Sequence, residues 1–209
     1  LINSSKIATI TLNKIFRQAA KSKIIVNAHR VNNGEPFLTK EDIENEEMKQ
    51  DFFYIRQAEQ EAMLNQVISL CNGRLKDYGD YDFFQNIQVI TPTKKGMLGT
   101  RELNKALQAV LNPASQGEPE KNNAGMTFRI GDRVMQIKNN YDITWERDTK
   151  KHEFGSGVFN GEIGTILKIN EKEKLIKIKF DDEKVCWYEF ADLDQIEHSY
   201  SITIHKSQR

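Results

Sequence analysis

The sequence predicts an α/β body that carries a small all-β barrel. Three observations support this. Strand-like and helical periodicities alternate through Leu111, and a strand pattern returns at Tyr200. Asn112-Pro113-Ala114-Ser115-Gln116-Gly117-Glu118-Pro119 has linker composition. From Met126 the period changes, and short strand candidates joined by charged turns run to Tyr188.

Taken in order, Ile7 to Leu12 alternates apolar residues with Ala and Thr, as a short strand does. After Ile15-Phe16-Arg17-Gln18-Ala19, the stretch Lys21 to Val31 sets Ile24, Ile25, Ala28 and Val31 on one stripe and is expected to be helical. Asn32-Asn33-Gly34-Glu35-Pro36 stops it with turn chemistry. Thr39 to Gln50 is acid-rich and reads as surface loop or short helix, and Asp51 to Arg56 as a buried strand. Ala58 to Leu70 reads as an amphipathic helix ending near Asn72-Gly73. Phe83 to Asn86 then leads into a core strand, Ile87 to Ile90. That strand opens onto Thr91-Pro92-Thr93-Lys94-Lys95-Gly96-Met97-Leu98-Gly99-Thr100, ahead of a helix from Arg101 to Leu111. Hydroxyls, lysines and glycines at a strand-to-helix junction, with a helix N-terminus behind them, suit a phosphate.

The barrel strands are expected at Arg133 to Lys138, Ile163 to Ile169, Leu175 to Phe180 and Val185 to Tyr188. Ile176, Ile178 and Phe180 alternate with outward Lys177 and Lys179. Between the first two candidates, Asn139 to Asn160 is longer than a compact hairpin needs and reads as a mobile loop. It mixes Tyr141, Trp145 and Phe154 with Arg147, Lys150 and Lys151. Such a mixture suits stacking on unpaired bases; capping of the barrel core is the other role open to Tyr141 and Trp145. At the end of the chain, Ile202 and Ile204 alternate with Ser201, Thr203 and His205, then the pattern turns polar and basic through Lys206, Ser207 and Gln208. A strand ending in hydroxyl, imidazole, ammonium and amide groups fits the carboxyl edge of an open α/β sheet, where such folds place ligands.

The totals narrow the class. The 209 residues allow one large domain or two modest ones, and 38% hydrophobic with 29% charged content is ordinary for a globular protein. No apolar run reaches the roughly 20 residues a membrane span needs. Two cysteines, Cys71 and Cys186, form no disulfide framework, which points to a reducing, cytoplasmic setting. His29, His152, His198 and His205 show no metal-ligand spacing. The formal charge is zero, but Lys6, Lys14, Arg17, Lys21, Lys23, Arg30 and Lys40 face only Glu35 before the acidic stretch that begins at Glu41. A local basic surface is therefore compatible with overall neutrality.

Four stretches resemble one family, the RecD-like branch of superfamily 1 DNA helicases. Phe16-Arg17-Gln18-Ala19 with Val26-Asn27-Ala28-His29-Arg30 resembles its motif IV, and Ile202-Thr203-Ile204-His205-Lys206-Ser207-Gln208 its motif V. The Thr91-Pro92 loop with Leu103-Asn104 is similar to the family's Thr-Pro-x-x-x-Gly-x-x-Gly-Thr segment. Phe128 to Gln136 with Val158 to Gly164 resembles the barrel inserted in the second motor lobe. After Gln208 the family continues with Gly-Ser-Glu, where this chain has Arg209.

The resemblance implies a RecA-like helicase second motor lobe (2A) over residues 1–125, completed by 199–209, with an SH3-like barrel (2B) inserted at 126–198. It implies an ATP-dependent 5′–3′ DNA helicase, using ATP with Mg²⁺ and possessing, elsewhere, a phosphate loop that this sequence lacks. Arg17 is the expected γ-phosphate sensor and catalytic residue, with Gln208 also on the nucleotide side. Single-stranded DNA contacts are expected at Thr91, Asn139, Asn140, Tyr141, Asn160, Thr203, Ile204, His205 and Lys206. The implied partners are single-stranded DNA, the N-terminal motor lobe and, in some relatives, subunits of a nuclease complex; no membrane is implied. The residues alone also suit a non-catalytic single-strand-binding module or an SH3-like protein-docking domain, and they do not distinguish deoxyribose from ribose. By itself the chain is expected to hydrolyse no ATP.

Overall fold

The computed structural model describes residues 22–39, 51–147 and 152–207. Contacts divide the chain into two compact units, residues 1–56 and 57–209. In the first unit, helix α1 (Lys23–Asn32) starts at Ser22, whose hydroxyl accepts a bond from the Ile25 amide at 3.4 Å. Asn27 is buried; it donates to the Leu38 carbonyl at 2.9 Å and accepts from the Leu38 amide at 2.7 Å. Arg30 donates to the Pro36 carbonyl at 2.8 Å. The polar residues of this helix therefore hold the returning chain against it. Asp51 to Arg56 forms no strand, and Phe53, Tyr54 and Ile55 are more than half exposed. Without a neighbouring strand among the described residues, an apolar run is not enough to make one. Phe37 packs on Phe52 and Tyr54 instead.

The second unit opens with α2 (Gln60–Ser69), a wide turn at Leu70–Arg74 and α3 (Leu75–Gly79). The helix expected to stop at Asn72-Gly73 kinks there and resumes, because Gly73 takes φ 127°. Next come α4 (Phe83–Asn86), capped by Asp82, strand β1 (Val89–Thr91) and α5 (Thr100–Leu111). Strands β2 (Glu120–Asn123) and β3 (Met126–Arg129) form a hairpin. Then follow β4 (Arg133–Gln136), β5 (Asn140–Arg147), β6 (Glu153–Val158), β7 (Ile163–Asn170), β8 (Leu175–Phe180) and β9 (Val185–Glu189). A short 3₁₀ turn precedes β10 (Ile196–His198), β11 (Ser201–Thr203) and the single turn α6 (Ile204–Ser207).

Seven strands make one antiparallel sheet in the order β10-β4-β7-β8-β9-β5-β6. All four barrel strands read from the sequence are present. The connection expected to be a mobile loop, Asn139 to Asn160, is a correction: most of it is the hairpin β5–β6 at the sheet edge. Its pairing depends on Trp145 lying across Gly155, where a Cβ would come within 2.3 Å of the indole. Trp145 packs against the sheet's core, so the core-capping role is the one it takes. That core is Phe128, Val134, Val158, Ile166, Ile169, Ile176, Ile178, Phe180, Cys186, Tyr188, Leu193 and Ile196. Both cysteines are free and buried, and burial pushes the Cys71 thiol up to about 11 and that of Cys186 to about 12.

Helix α5 joins this sheet to the rest of the unit through two stripes at four-residue spacing. Leu103 and Leu107 are apolar and buried, and Leu107 packs with Cys71, Phe83 and Tyr200. Asn104, Gln108 and Asn112 form a polar stripe beside it. Both of the latter two meet Asp132, which is fully buried. Its carboxyl group accepts from Gln108 Nε2 and Asn112 Nδ2 at 2.7 Å each, the Arg129 amide at 2.7 Å, Tyr200 OH at 2.8 Å and His198 Nε2 at 3.0 Å. Asn104 donates to the His198 carbonyl at 2.8 Å and accepts from the Ser201 amide at 2.6 Å.

Removing that carboxyl group strands five donors away from water. Asp132→Ala is expected to destabilise the chain by about 4 kcal/mol, and Tyr200→Phe by about 1 kcal/mol, read from urea unfolding midpoints. Equal losses for the two variants would refute the hub.

Candidate nucleic-acid interface

Strands β1 and β11 pair in parallel, with Val89 opposite Ser201, Ile90 opposite Ile202 and Thr91 opposite Thr203. The two threonines therefore sit side by side at the carboxyl ends of adjacent strands, though over a hundred residues separate them in sequence. Thr91 is nearly buried, and its hydroxyl donates to the Leu98 carbonyl at 2.6 Å. It shapes the loop that follows. Thr203 is half-buried, and its hydroxyl makes no hydrogen bond among the described residues.

The loop after Thr91 differs from a phosphate cradle. The amides of Thr100 and Arg101 donate to the Thr93 and Lys94 carbonyls at 3.1 and 3.4 Å, and Gly99 donates to Gly96. Amide groups that would meet an anion at the start of α5 are thus used within the loop. Gly99 is required, since a Cβ would come within 2.5 Å of the Lys95 carbonyl oxygen. What the loop offers is side chains: Lys94 and Thr100 line a narrow cleft together with Thr203, Lys206 and Glu197. Lys94 is not among the contact residues expected from the sequence, yet the fold places it in the same cleft as Lys206.

Beyond β11, α6 exposes Ile204 and His205 and leaves Lys206 half-buried. Lys206 Nζ donates to Asn160 Oδ1. The Asn160 amide donates to Asn139 Oδ1 at 2.9 Å, and Asn139 Nδ2 lies 3.5 Å from the Tyr141 hydroxyl. Tyr141, 66% exposed, meets Phe159 edge-on with ring centroids 5.5 Å apart. Residues from the α/β part and the barrel rim thus form one continuous line: Thr203, Lys206, Asn160, Asn139, Tyr141 and Phe159. Of the expected contact residues, Asn140 is set apart. Its side chain accepts from the Asp142 and Ile143 amides and donates to Gln195, which holds the turn into β5. Arg17 and Gln208 lie outside the described residues.

The aromatic rim rests on a charged cluster. Arg147 donates to Asp182 at 2.7 Å, and Lys184 pairs with Glu162 at 2.9 Å and Asp182 at 3.2 Å. Lys184 also stands 5.8 Å from the ring centroids of both Trp145 and Phe159. Burial alone would raise the Asp182 pKa, but hydrogen bonds from Lys184 and Arg147 outweigh it and hold the carboxyl below its ordinary value. Burial would likewise lower Lys184, and its bonds to Glu162 and Asp182 reverse the sign. Among the described residues, no group of three or more His, Cys, Asp or Glu side chains could hold a metal ion, and no helix is long and apolar enough to cross a membrane.

Comparison with known proteins gives the surroundings of this site. Residues 103–180 match the SH3 domain of ATP-dependent RecD-like DNA helicases. Over 201 residues, 96% of this chain, the sequence is 31% identical to an ATP-dependent RecD2 DNA helicase of Deinococcus radiodurans, covering 23% of that protein. It is 33% identical over 151 residues, 64% of this chain and 12% of the other, to an uncharacterized protein of Methanocaldococcus jannaschii. The chain spans less than a quarter of either relative. Among solved structures, a Pif1 helicase on forked double-stranded DNA aligns over 75% of this chain and 40% of its own at 16% identity and a TM-score of 0.36. A Bacteroides Pif1 bound to single-stranded DNA aligns over 74% and 41% at 17% identity and a TM-score of 0.33.

Because the Asp182 pKa is lowered on folding, its contribution is present above the ordinary value of 3.8 and lost as pH falls through the lower folded value. The gap in urea midpoint between the wild type and Asp182→Asn is expected to be open at neutral pH and to close below that value. A gap that persists unchanged in acid would show that Asp182 acts without its charge.

Proposed function

From a chain related along nearly its whole length to the RecD-like DNA helicases, we propose a role as the strand-holding part of such a motor. In this reading residues 1–125 and 199–209 form a RecA-like second lobe, residues 126–198 its SH3-like barrel, and the whole protein is an ATP-dependent 5′–3′ DNA helicase. The carrying observation is the parallel register of Thr91 with Thr203, continued by Lys206, Asn160, Asn139 and Tyr141 onto the barrel rim.

The chemistry of that line suits a single strand. Lys94 and Lys206 supply charge to phosphates, and the free hydroxyl of Thr203 supplies a neutral donor. Tyr141 and Phe159 offer ring faces and edges to an unstacked base, worth roughly 1–3 kcal/mol per base. A duplex would leave its bases stacked on each other and gain nothing from such rings. ATP binding is assigned to Arg17 and Gln208 with groups outside this sequence. A guanidinium suits that task because it is permanently charged and forks onto phosphate. Bound ATP would supply the energy of stepping, and this chain's residues would hold the strand while it moves. The chain alone would hydrolyse no ATP. Subunits of a nuclease complex are partners the family relationship allows.

Lys206→Gln and Thr203→Val are expected to weaken oligothymidine binding, with Lys206→Gln lowering the slope of log affinity against log salt by about 0.7. Unchanged affinity in both variants would remove the site. Placed in the full-length protein, Arg17→Ala is expected to abolish hydrolysis with strand binding intact. Hydrolysis that survives this change would favour a binding module without a nucleotide role.

A further inference from the structure

We propose that the outer face of the barrel carries a second contact for single-stranded nucleic acid, formed by Leu167, Lys168, Lys177 and Trp187. The sheet register brings these residues together. Lys168 pairs with Lys177 across β7 and β8, and Lys177 pairs with Trp187 across β8 and β9. Partners in register point to the same side, and Ile176 and Ile178, flanking Lys177, are fully buried. The row therefore faces outward.

Two features mark it as more than a solvated surface. The register slips between Ile166 and Lys168, so the strand carries one extra residue there. Leu167 is left 44% exposed beside Lys168, and Trp187, two strands away, is 39% exposed. Two lysines also stand directly opposite each other, an arrangement that repels. Neither has an ion-pair partner among the described residues. The next outward lysine on β8, Lys179, does have one, Glu183 at 2.6 Å, and Arg133 lies 3.8 Å from Asp181. Of the outward lysines on β7 and β8, Lys168 and Lys177 are thus the two without an ion pair among the described residues; Glu118, Glu120 and Glu171 share a cleft with Lys168 and border the patch on that side. Lys177 Nζ lies 5.3 Å from the Trp187 ring centroid, which holds the indole in place with part of it open.

Phosphate chemistry and an aromatic platform, side by side, fit a strand with unstacked bases: two phosphates on Lys168 and Lys177, one base on Trp187. Glu189 is the nearest outward acid on β9, in register with Leu175, and it bounds the patch on that side. Lys168 lies five residues up β7 from Ile163, roughly 17 Å along the strand, so the patch is distinct from the line through Lys206 and Asn160.

The chain has two tryptophans, so Trp145→Phe leaves Trp187 as its sole indole. Titration of that variant with oligothymidine is expected to quench its fluorescence, with quenching that weakens as salt rises. The quench is expected to persist when Thr203→Val and Lys206→Gln are added, which separates this contact from the one proposed above. No quench, or an equal one with polyglutamate, would overturn the assignment. As a test that keeps both tryptophans, Lys168→Gln with Lys177→Gln is expected to reduce the salt slope by about 1.4, or 0.7 per phosphate. An unchanged slope would likewise end it.

Discussion

Asp132 is the constraint on which the rest of the second unit depends. A fully buried carboxyl group is tolerable only when its lone pairs are satisfied, and here donors arrive from four parts of the chain: α5, the end of β3, β10 and Tyr200. Each of those segments is fixed in direction by its bond. The Ile166 amide also donates to the Asp132 carbonyl at 3.0 Å, which adds β7 to the same point. The sheet core could collapse by hydrophobic burial alone, but burial has no direction. The angle between α5 and the sheet is set by amides and a hydroxyl whose bonds converge on that one carboxyl group.

That geometry explains why a chain with no net charge can present a local basic line. The cleft at the end of β1 and β11 and the rim of the barrel are each modest. Lys206 and Asn160 join them because β11 leaves the hub at a fixed place, two residues beyond β10. Screening limits the reach of a charge to about 8 Å at physiological salt, so the lysines that line the cleft dominate what a phosphate meets there. The match of residues 103–180 to the SH3 domain of RecD-like helicases covers both α5 and most of the sheet, in keeping with the two folding as one piece.

Much of this was legible in the sequence because period-two and period-four patterns report burial directly. Leu175 to Phe180 is a strand with the boundaries its alternation gives, and α5 begins one residue before expected. The Thr91 loop and the terminal strand were placed together only through family resemblance, and their register is a fact of the fold. Three things were hidden. The β5–β6 hairpin reads as a loop because its partner for Trp145 is a glycine, which carries no hydrophobic signal. The Asp51 to Arg56 run reads as a strand because apolar composition says nothing about whether a neighbour exists. The amide stripe Asn104, Gln108, Asn112 has helical spacing in plain view, but polar residues are expected to face water, so its burial against Asp132 went unread.

Only Ser199 and Tyr200 separate β10, in the barrel sheet, from β11, beside Thr91, and both are fully buried. Gln88 Nε2 donates to the carbonyls of both at 3.2 and 3.3 Å, and the Ser199 amide donates to the Arg133 carbonyl at 2.9 Å. A linker so short, with both carbonyls and the Ser199 amide bonded, has little slack. A displacement of β11 along its axis therefore has a two-residue covalent route to the barrel sheet. The rim bearing Tyr141 would then advance together with the threonine pair, without a separate signal to tell it when.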